Sequence, residues 1–362
     1  MSKIISIGTA VPKYKHEQED ILQFMQQLHA LDETEKRKLR FLYRHSGISH
    51  RYSCIGDYSR PMPEWKFYPH SENIEPFPSL EQRMAWFNKY APPLSVNAIR
   101  KCLDHRIREE EITHLISVSC TGMSAPGLDL QLMELLDLPR NIFRTSVNFM
   151  GCYAAIHALK MADAFCKSTP GAKVLIVCTE LCTLHLQKEA TMDNLASGLL
   201  FADGSAAALV VGDEHPARGL TLKSFYSEVV IKGKKDMAWE LSSTGFQMTL
   251  SGYIPELIGE DIEALTERAM KKQGLHKNDI SDWCVHPGGK KILEAVEKSL
   301  SLRNHELAGS YRVLEDYGNM SSASILFVLK DLHLQIQQQE NRTIFAMAFG
   351  PGLTLETFIA QC

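Results

Sequence analysis

The 362-residue chain has no C-x-x-C pair and no bias of charge, with 39 basic against 43 acidic side chains and a formal net charge of -4. It also lacks any apolar run approaching the ~18 residues that a membrane-spanning helix needs. Each absence excludes something. Nine cysteines, at positions 54, 102, 120, 152, 166, 178, 182, 284 and 362, form an odd set without metal-ligand spacing. Reduced thiols are therefore expected, with no disulfide framework and no metal site. Balanced charge gives no whole-chain attraction for nucleic acid or an anionic membrane, so a small or apolar substrate fits better. Residues 1–10 carry one lysine and a short apolar stretch without a processing site, so export is not expected and a cytoplasmic location is. What remains, 44% hydrophobic and 23% charged, is an ordinary globular composition, long enough for two domains or one large duplicated unit.

Short apolar runs alternate with amphipathic helical stretches. Strands are predicted at Ile4–Ile7, His114–Ser119, Lys173–Cys178, Ala206–Val211, Ser281–Val285 and Thr343–Ala348. The runs Val174-Leu-Ile-Val-Cys178 and Ala206-Ala-Ala-Leu-Val-Val211 are continuously apolar, which predicts an α/β fold whose sheet is covered on both faces. Three segments recur in order. Glu110–Val118 matches Asn278–Val285, Phe149–Ala158 matches Asp316–Ile325, and Ala172–Val177 matches Arg342–Met347, each about 170 residues apart. The chain is thus expected to be two duplicated α/β halves, residues 1–215 and 216–362.

Two segments stand apart. Residues 53–80, rich in proline and aromatics, read as an irregular surface loop or a lid. Residues 35–51 hold Lys36, Arg37, Lys38, Arg40, Arg44, His45, His50 and Arg51, a basic helix and turn that is either a solvated face or a phosphate-binding rim.

Candidate chemistry gathers at turns after strands. Cys152 follows Asn148-Phe-Met-Gly151 and opens a run of small helical residues, a position where free N–H groups and the helix dipole favour a thiolate nucleophile. A buried cysteine that merely packs is the alternative. His286 ends the apolar run Trp283-Cys-Val285 and precedes Pro287-Gly-Gly289, placing an imidazole at a strand's C-terminal end, where α/β sites are built. Asn319, at the place matching Cys152 in the second half, either donates from its amide to a developing enolate or caps the next helix. Gly350-Pro351-Gly352 forms a tight turn that can aim backbone N–H groups at an oxyanion.

Taken together, Met150-Gly-Cys152-Tyr-Ala, Val285-His-Pro-Gly-Gly289, Tyr317-Gly-Asn-Met-Ser-Ser-Ala323 and Phe349-Gly-Pro-Gly-Leu353 resemble the type III polyketide synthases, the chalcone synthase-like branch of the thiolase fold. The resemblance spans nearly the whole chain and implies a five-layered αβαβα core and a homodimer. It also implies iterative decarboxylative condensation of malonyl-CoA onto an acyl-CoA starter, with ring closure to a pyrone, phenol or resorcinol-type product. Cys152 would carry the acyl group, and His286 with Asn319 would polarise the malonyl thioester. Coenzyme A thioesters are the implied substrates, with no metal, nicotinamide or protein-bound arm.

The same resemblance places Phe201 and Met248 at gate positions and His185, Trp239 and Ser321 in the cavity wall. His185 and Trp239 stand where chalcone synthase has small residues, which favours a short acyl or malonyl starter over a fatty acyl one, and that over an aromatic one. Cys120 resembles an additional active-site cysteine of bacterial members. Lys38 matches the family's coenzyme A-gripping positions and Phe41 and His45 do not, with Arg40 and Arg44 as substitutes. Ala348 replaces a usual glycine. A ketoacyl-acyl carrier protein synthase, which shares the Cys-His-Asn trio, is the alternative, although its histidine normally precedes Gln-Ala-Asn.

Overall fold

A strand that is apolar on both sides must be covered on both sides, and in the computed structural model each such strand feeds two different cores. The structure describes all residues except 105, 304 and 337–340. The first half runs β1 (Ser2–Ala10), β2 (Tyr14–Glu17), α1 (Gln18–Leu28), α2 (Glu33–Arg44), β3 (His50–Ser53), α3 (Leu80–Leu103), β4 (His114–Ser119), α4 (Leu128–Leu135), β5 (Phe143–Asn148), α5 (Ala154–Ser168), β6 (Lys173–Leu181), α6 (Met192–Leu200) and β7 (Asp203–Gly212). The second runs β8 (Leu220–Val229), β9 (Met237–Ser242), β10 (Gly245–Leu250), α7 (Ile254–Lys271), β11 (Asp282–Val285), α8 (Lys290–Ser299), α9 (Ala308–Tyr317), α10 (Ser324–Ile336), β12 (Thr343–Gly350) and β13 (Thr354–Gln361). All six predicted strands are present.

Strand pairing repeats between the halves. In the first, β1 pairs antiparallel with β7, β7 antiparallel with β6, and β6 parallel with β4. In the second, β8 pairs antiparallel with β13, β13 antiparallel with β12, and β12 parallel with β11. The first half adds β5 at its outer edge. A short antiparallel contact, Ser2–Ile4 with Leu220–Leu222, joins the two into one nine-stranded sheet.

Side-chain alternation then builds five layers. Leu175, Val177, Leu209 and Val211 face outward onto α3, whereas Val174, Ile176, Ala208 and Val210 face inward onto α5 and α10. Ile344 and Ala346 meet that same central core, while Phe345 and Met347 face α7 and α8. The order is helices, sheet, central helices, sheet, helices, the thiolase-like αβαβα arrangement. Residues 53–80 correct the sequence reading: Tyr58, Trp65, Phe67 and Tyr68 are buried in the outer core, so the segment is neither a surface loop nor a lid. Asp57 pins it by accepting backbone N–H bonds from Lys66, Phe67 and Tyr68.

Candidate active site

Turns in corresponding places of the two halves deliver the candidate groups. After β5, Phe149 and Gly151 take φ of 58° and 80°, and Cys152 follows just before α5. Position 151 must be glycine, because a Cβ there would stand 2.1 Å from Cδ of Pro351. In the second half α9 ends at Tyr317, Gly318 turns with φ 69° and ψ -160°, and Asn319 follows. The duplication thus sets a thiol from one half against an amide from the other.

Cys152 Sγ lies 3.9 Å from Asn319 Oδ1 and 3.7 Å from Ser321 Oγ. Asn319 Oδ1 also accepts the Ser321 backbone N–H at 2.9 Å, and its Nδ2 donates to the Gly288 carbonyl at 3.1 Å. The second N–H on Nδ2 remains available to an acceptor. Gly288 belongs to the turn after β11 that carries His286, so the amide is braced against the histidine's own loop. His286 is 1% exposed, and neither ring nitrogen has a hydrogen-bond partner among the described residues.

Burial decides the resting charges. It pushes the Cys152 thiol up to about 12, with Glu180 adding to the rise, and holds the His286 imidazole down at about 3. The expected helix-terminus effect on Cys152 is therefore outweighed: a dipole supplies up to ~2 kcal/mol, whereas full desolvation shifts a group by about 3–5 pKa units. Glu180 accepts from Ser322 Oγ at 2.5 Å, from Thr121 Oγ1 at 2.8 Å and from the Cys120 backbone N–H at 2.9 Å. Burial nevertheless raises its carboxyl to about 7. No sequence motif had singled out this residue.

One narrow, mostly apolar cavity joins these groups, enclosing about 1210 Å³ including its open mouth. Cys120, Cys152, His185, Phe201, Trp239, Met248, His286, Asn319, Ser321 and Pro351 all line it. Trp239 and Met248 are cross-strand partners on the β9–β10 hairpin, so they share one face of it. His185 stacks on Phe246 at 4.2 Å, with Trp239 edge-on at 5.7 Å. Hydrogen bonds lock both bulky groups: His185 Nε2 to the Thr121 carbonyl at 2.7 Å and Trp239 Nε1 to the Cys120 carbonyl at 2.6 Å. Phe246, buried at 1%, is a wall residue the sequence reading missed, and only the alternation Phe246, Met248, Leu250 pointed to it.

Cys120 Sγ accepts the Gly151 backbone N–H at 2.9 Å, which places this second thiol directly behind the turn that carries Cys152. Gly350 passes close to the same turn, since a Cβ on it would stand 3.3 Å from the Cys152 nitrogen; Gly352 completes the bend with φ 76°. Lys38, Arg40 and Arg44 lie exposed on α2 and do not line the cavity, although α2 packs on α6. Arg51, grouped with them from the sequence, is buried at 3% and is not part of a surface rim.

Comparisons with known proteins place this geometry. The family of chalcone and stilbene synthases matches with its N-terminal domain over residues 1–214 and its C-terminal domain over residues 221–362. The chain belongs to the chalcone and stilbene synthase family. It is 32% identical to a putative chalcone synthase of Bacillus subtilis, over 99% of this chain and 98% of that protein. It is 29% identical to a probable polyketide synthase of Dictyostelium discoideum, covering 98% of this chain and only 11% of that much longer protein. The crystal structure of PKS-I from the brown alga Ectocarpus siliculosus superposes with a TM-score of 0.93 at 29% identity, covering 99% of this chain and 98% of that one. The chain is a type III polyketide synthase and so an acyltransferase; the ketoacyl synthase alternative gains no support. No helix among the described residues is long and apolar enough to cross a membrane.

Proposed function

We propose that Cys152, His286 and Asn319 carry out a decarboxylative condensation of coenzyme A thioesters. Convergence of the three on one buried cavity, with Cys152 Sγ 3.9 Å from the Asn319 amide oxygen, is the observation that carries this reading. The thiol of Cys152 gives its proton to His286 and attacks the starter thioester, and the coenzyme A thiolate leaves. Malonyl-CoA follows, its thioester oxygen accepting from His286 and the free N–H of Asn319. Cleavage of the bond to the carboxylate releases carbon dioxide and leaves its electron pair on the enolate, whose oxygen those donors stabilise. The enolate carbon attacks the Cys152 thioester and expels the Cys152 thiolate. Holding both thioesters in one mostly apolar cavity supplies the proximity. Repeated cycles and ring closure release a pyrone, phenol or resorcinol-type product.

The locked His185 and Trp239 favour a short acyl or malonyl starter, with Phe201 and Met248 as gates and Gly350, Pro351 and Gly352 shaping the oxyanion side. Lys38, Arg40 and Arg44 are proposed to meet coenzyme A phosphates, because α2 presents them beside α6, which carries cavity residues. No permanently bound cofactor is required. A homodimer is proposed on the edge strand β5 and the exposed Met123, Leu135 and Phe143, which are 49%, 52% and 70% accessible, and a cytoplasmic location is proposed from the sequence reading alone. The halves are taken to divide at 215/216, between β7 and β8.

The test is incubation with malonyl-CoA, alone and with short, long-chain and aromatic acyl-CoAs, followed by mass spectrometry of products and intact protein. A cyclised product with an acyl adduct on Cys152 is expected. Inert malonyl-CoA with active malonyl-acyl carrier protein would replace this reading with the ketoacyl synthase one.

A further inference from the structure

Arg51 is a buried guanidinium that forms no salt bridge with any described carboxylate. Two of its nitrogens reach neutral oxygens instead, Nη1 donating to the Phe201 carbonyl at 2.5 Å and Nε to Gln18 Oε1 at 3.0 Å, while Nη2 has no hydrogen-bond partner among the described residues. Gln18 in turn donates from Nε2 to the Leu199 carbonyl at 3.0 Å, so both grips close on the C-terminal end of α6. The arginine's stem lies under the other half's turn, where a Cβ on Gly318 would meet its Cγ and Cδ at 2.9 Å. Beside it, Tyr52 stacks on Tyr317 with ring centroids 5.8 Å apart, and the Ser49 N–H donates to the Glu315 carbonyl at 2.9 Å.

These contacts surround one junction. Phe201 and Asn319 form an isolated parallel bridge, with the Asn319 N–H donating to Leu200 O and the Ala202 N–H to Asn319 O, both at 2.9 Å. That bridge ties the backbone of the gate phenylalanine to the backbone of Asn319, whose side-chain amide is braced separately by Gly288 and Ser321, and it crosses between the two halves. We infer that Arg51 is a positioning residue, a clamp that fixes the Phe201–Asn319 bridge and thereby aims the Asn319 amide at the malonyl thioester. The inference rests on the role given above to Asn319. A lysine has one point charge in place of the fork and cannot hold Phe201 and Gln18 together.

Acyl loading on Cys152 does not use the Asn319 amide, so the two half-reactions separate the clamp from general damage. Arg51→Lys is expected to lower kcat for malonyl-CoA decarboxylation by about 10- to 100-fold, the scale of a misplacement near 1 Å, with KM little changed. The intact-protein mass should still show a starter adduct on Cys152. A double-mutant cycle decides the route: in an Asn319→Ala background, Arg51→Lys should cause no further loss. Gln18→Ala, which loosens the clamp and leaves the charge in place, should shift decarboxylation in the same direction by a smaller factor and serves if Arg51→Lys fails to fold. Multiplying losses in the double variant, or equal losses of loading and decarboxylation, would overturn the clamp. Unimpaired decarboxylation by Asn319→Ala alone would instead remove the reading of Asn319 on which it rests.

Discussion

Replacing Trp239 by alanine tests whether the aromatic wall sets starter size. The indole is half-buried, hydrogen-bonded to the Cys120 carbonyl at 2.6 Å, and edge-on to His185 and Phe246 at 5.7 and 5.8 Å. Full burial of an aromatic side chain removes about 150–250 Å² from water, which at 25 cal/mol per Å² is roughly 4–6 kcal/mol. Half of that, plus about 1 kcal/mol for the hydrogen bond, gives a loss near 3–4 kcal/mol. At about 2.1 cal/mol/K per residue the whole chain has an unfolding entropy near 0.8 kcal/mol/K, so Tm should fall by about 4–5 °C and the fold should survive. The vacated space takes several methylenes, and each one newly buried is worth about 0.8 kcal/mol, roughly a fourfold gain in kcat/KM. A starter two or three carbons longer than the wild-type optimum should therefore gain about 15- to 60-fold over it in the variant. Competition between paired acyl-CoAs, read by mass spectrometry of products and of the Cys152 adduct, measures this directly. Trp239→Phe keeps the wall and drops the N–H, and should leave the length profile near wild type. An unchanged profile in a folded Trp239→Ala protein would refute the wall as the size filter.

Three further outcomes follow from the site. Cys152→Ala should show no acyl adduct and no condensation yet retain malonyl-CoA decarboxylation, whereas Cys120→Ser should still load Cys152 and alter only rate or product pattern; full condensation by Cys152→Ala would remove the nucleophile assignment. Gly318→Ala places a side chain at φ 69°, ψ -160°, a glycine-only region, and should cost about 1–3 kcal/mol and ~1–4 °C in Tm, together with decarboxylation. A variant of unchanged Tm and rate would count against the strained turn. Glu180, raised to about 7 by burial, binds its proton more tightly folded than unfolded, so wild-type stability should fall by about 3 kcal/mol as pH rises from 4.5 through 7. Glu180→Gln should flatten that part of a Tm-against-pH curve, and an unflattened curve would show that the carboxyl is ionised throughout.

What could be read from the sequence was whatever local pattern determines. β4 coincides with its predicted span because His114–Ser119 is apolar enough to need two covers, and the repeat of about 170 residues follows because both halves use the same strand pairing. Cys152, His286 and Asn319 were legible because each stands at a turn with glycine nearby, where backbone geometry leaves a trace. Other features depend on distant partners. Arg51 sits in a basic run and looked solvated, but its burial is imposed by Phe201, 150 residues away, and by Gly318. The aromatics of residues 53–80 looked like a surface loop or a lid since nothing local announces that Asp57 will fold the segment inward. β5 carries an exposed, polar edge pattern and gives no strand signal of its own.

The charges of the trio bear on why a buried, mostly apolar cavity suits the proposed chemistry. Burial opposes a lone thiolate at Cys152 and a lone imidazolium at His286, so neither group ionises by itself near neutral pH. In the proposed reaction the same burial would strengthen the attraction between the two charges once a proton has moved from sulfur to nitrogen, so that the pair is the charged state this reading calls for. That state needs no partner outside the site, because both His286 ring nitrogens are otherwise unengaged among the described residues. After loading, the thioester is neutral and the cavity again opposes isolated charge. In the proposed reaction malonyl-CoA brings a carboxylate into that cavity, and expelling it as neutral carbon dioxide moves the charge onto an enolate oxygen that His286 and Asn319 would hold. Desolvation thus works against the reactant carboxylate and, through those preplaced donors, in favour of the enolate.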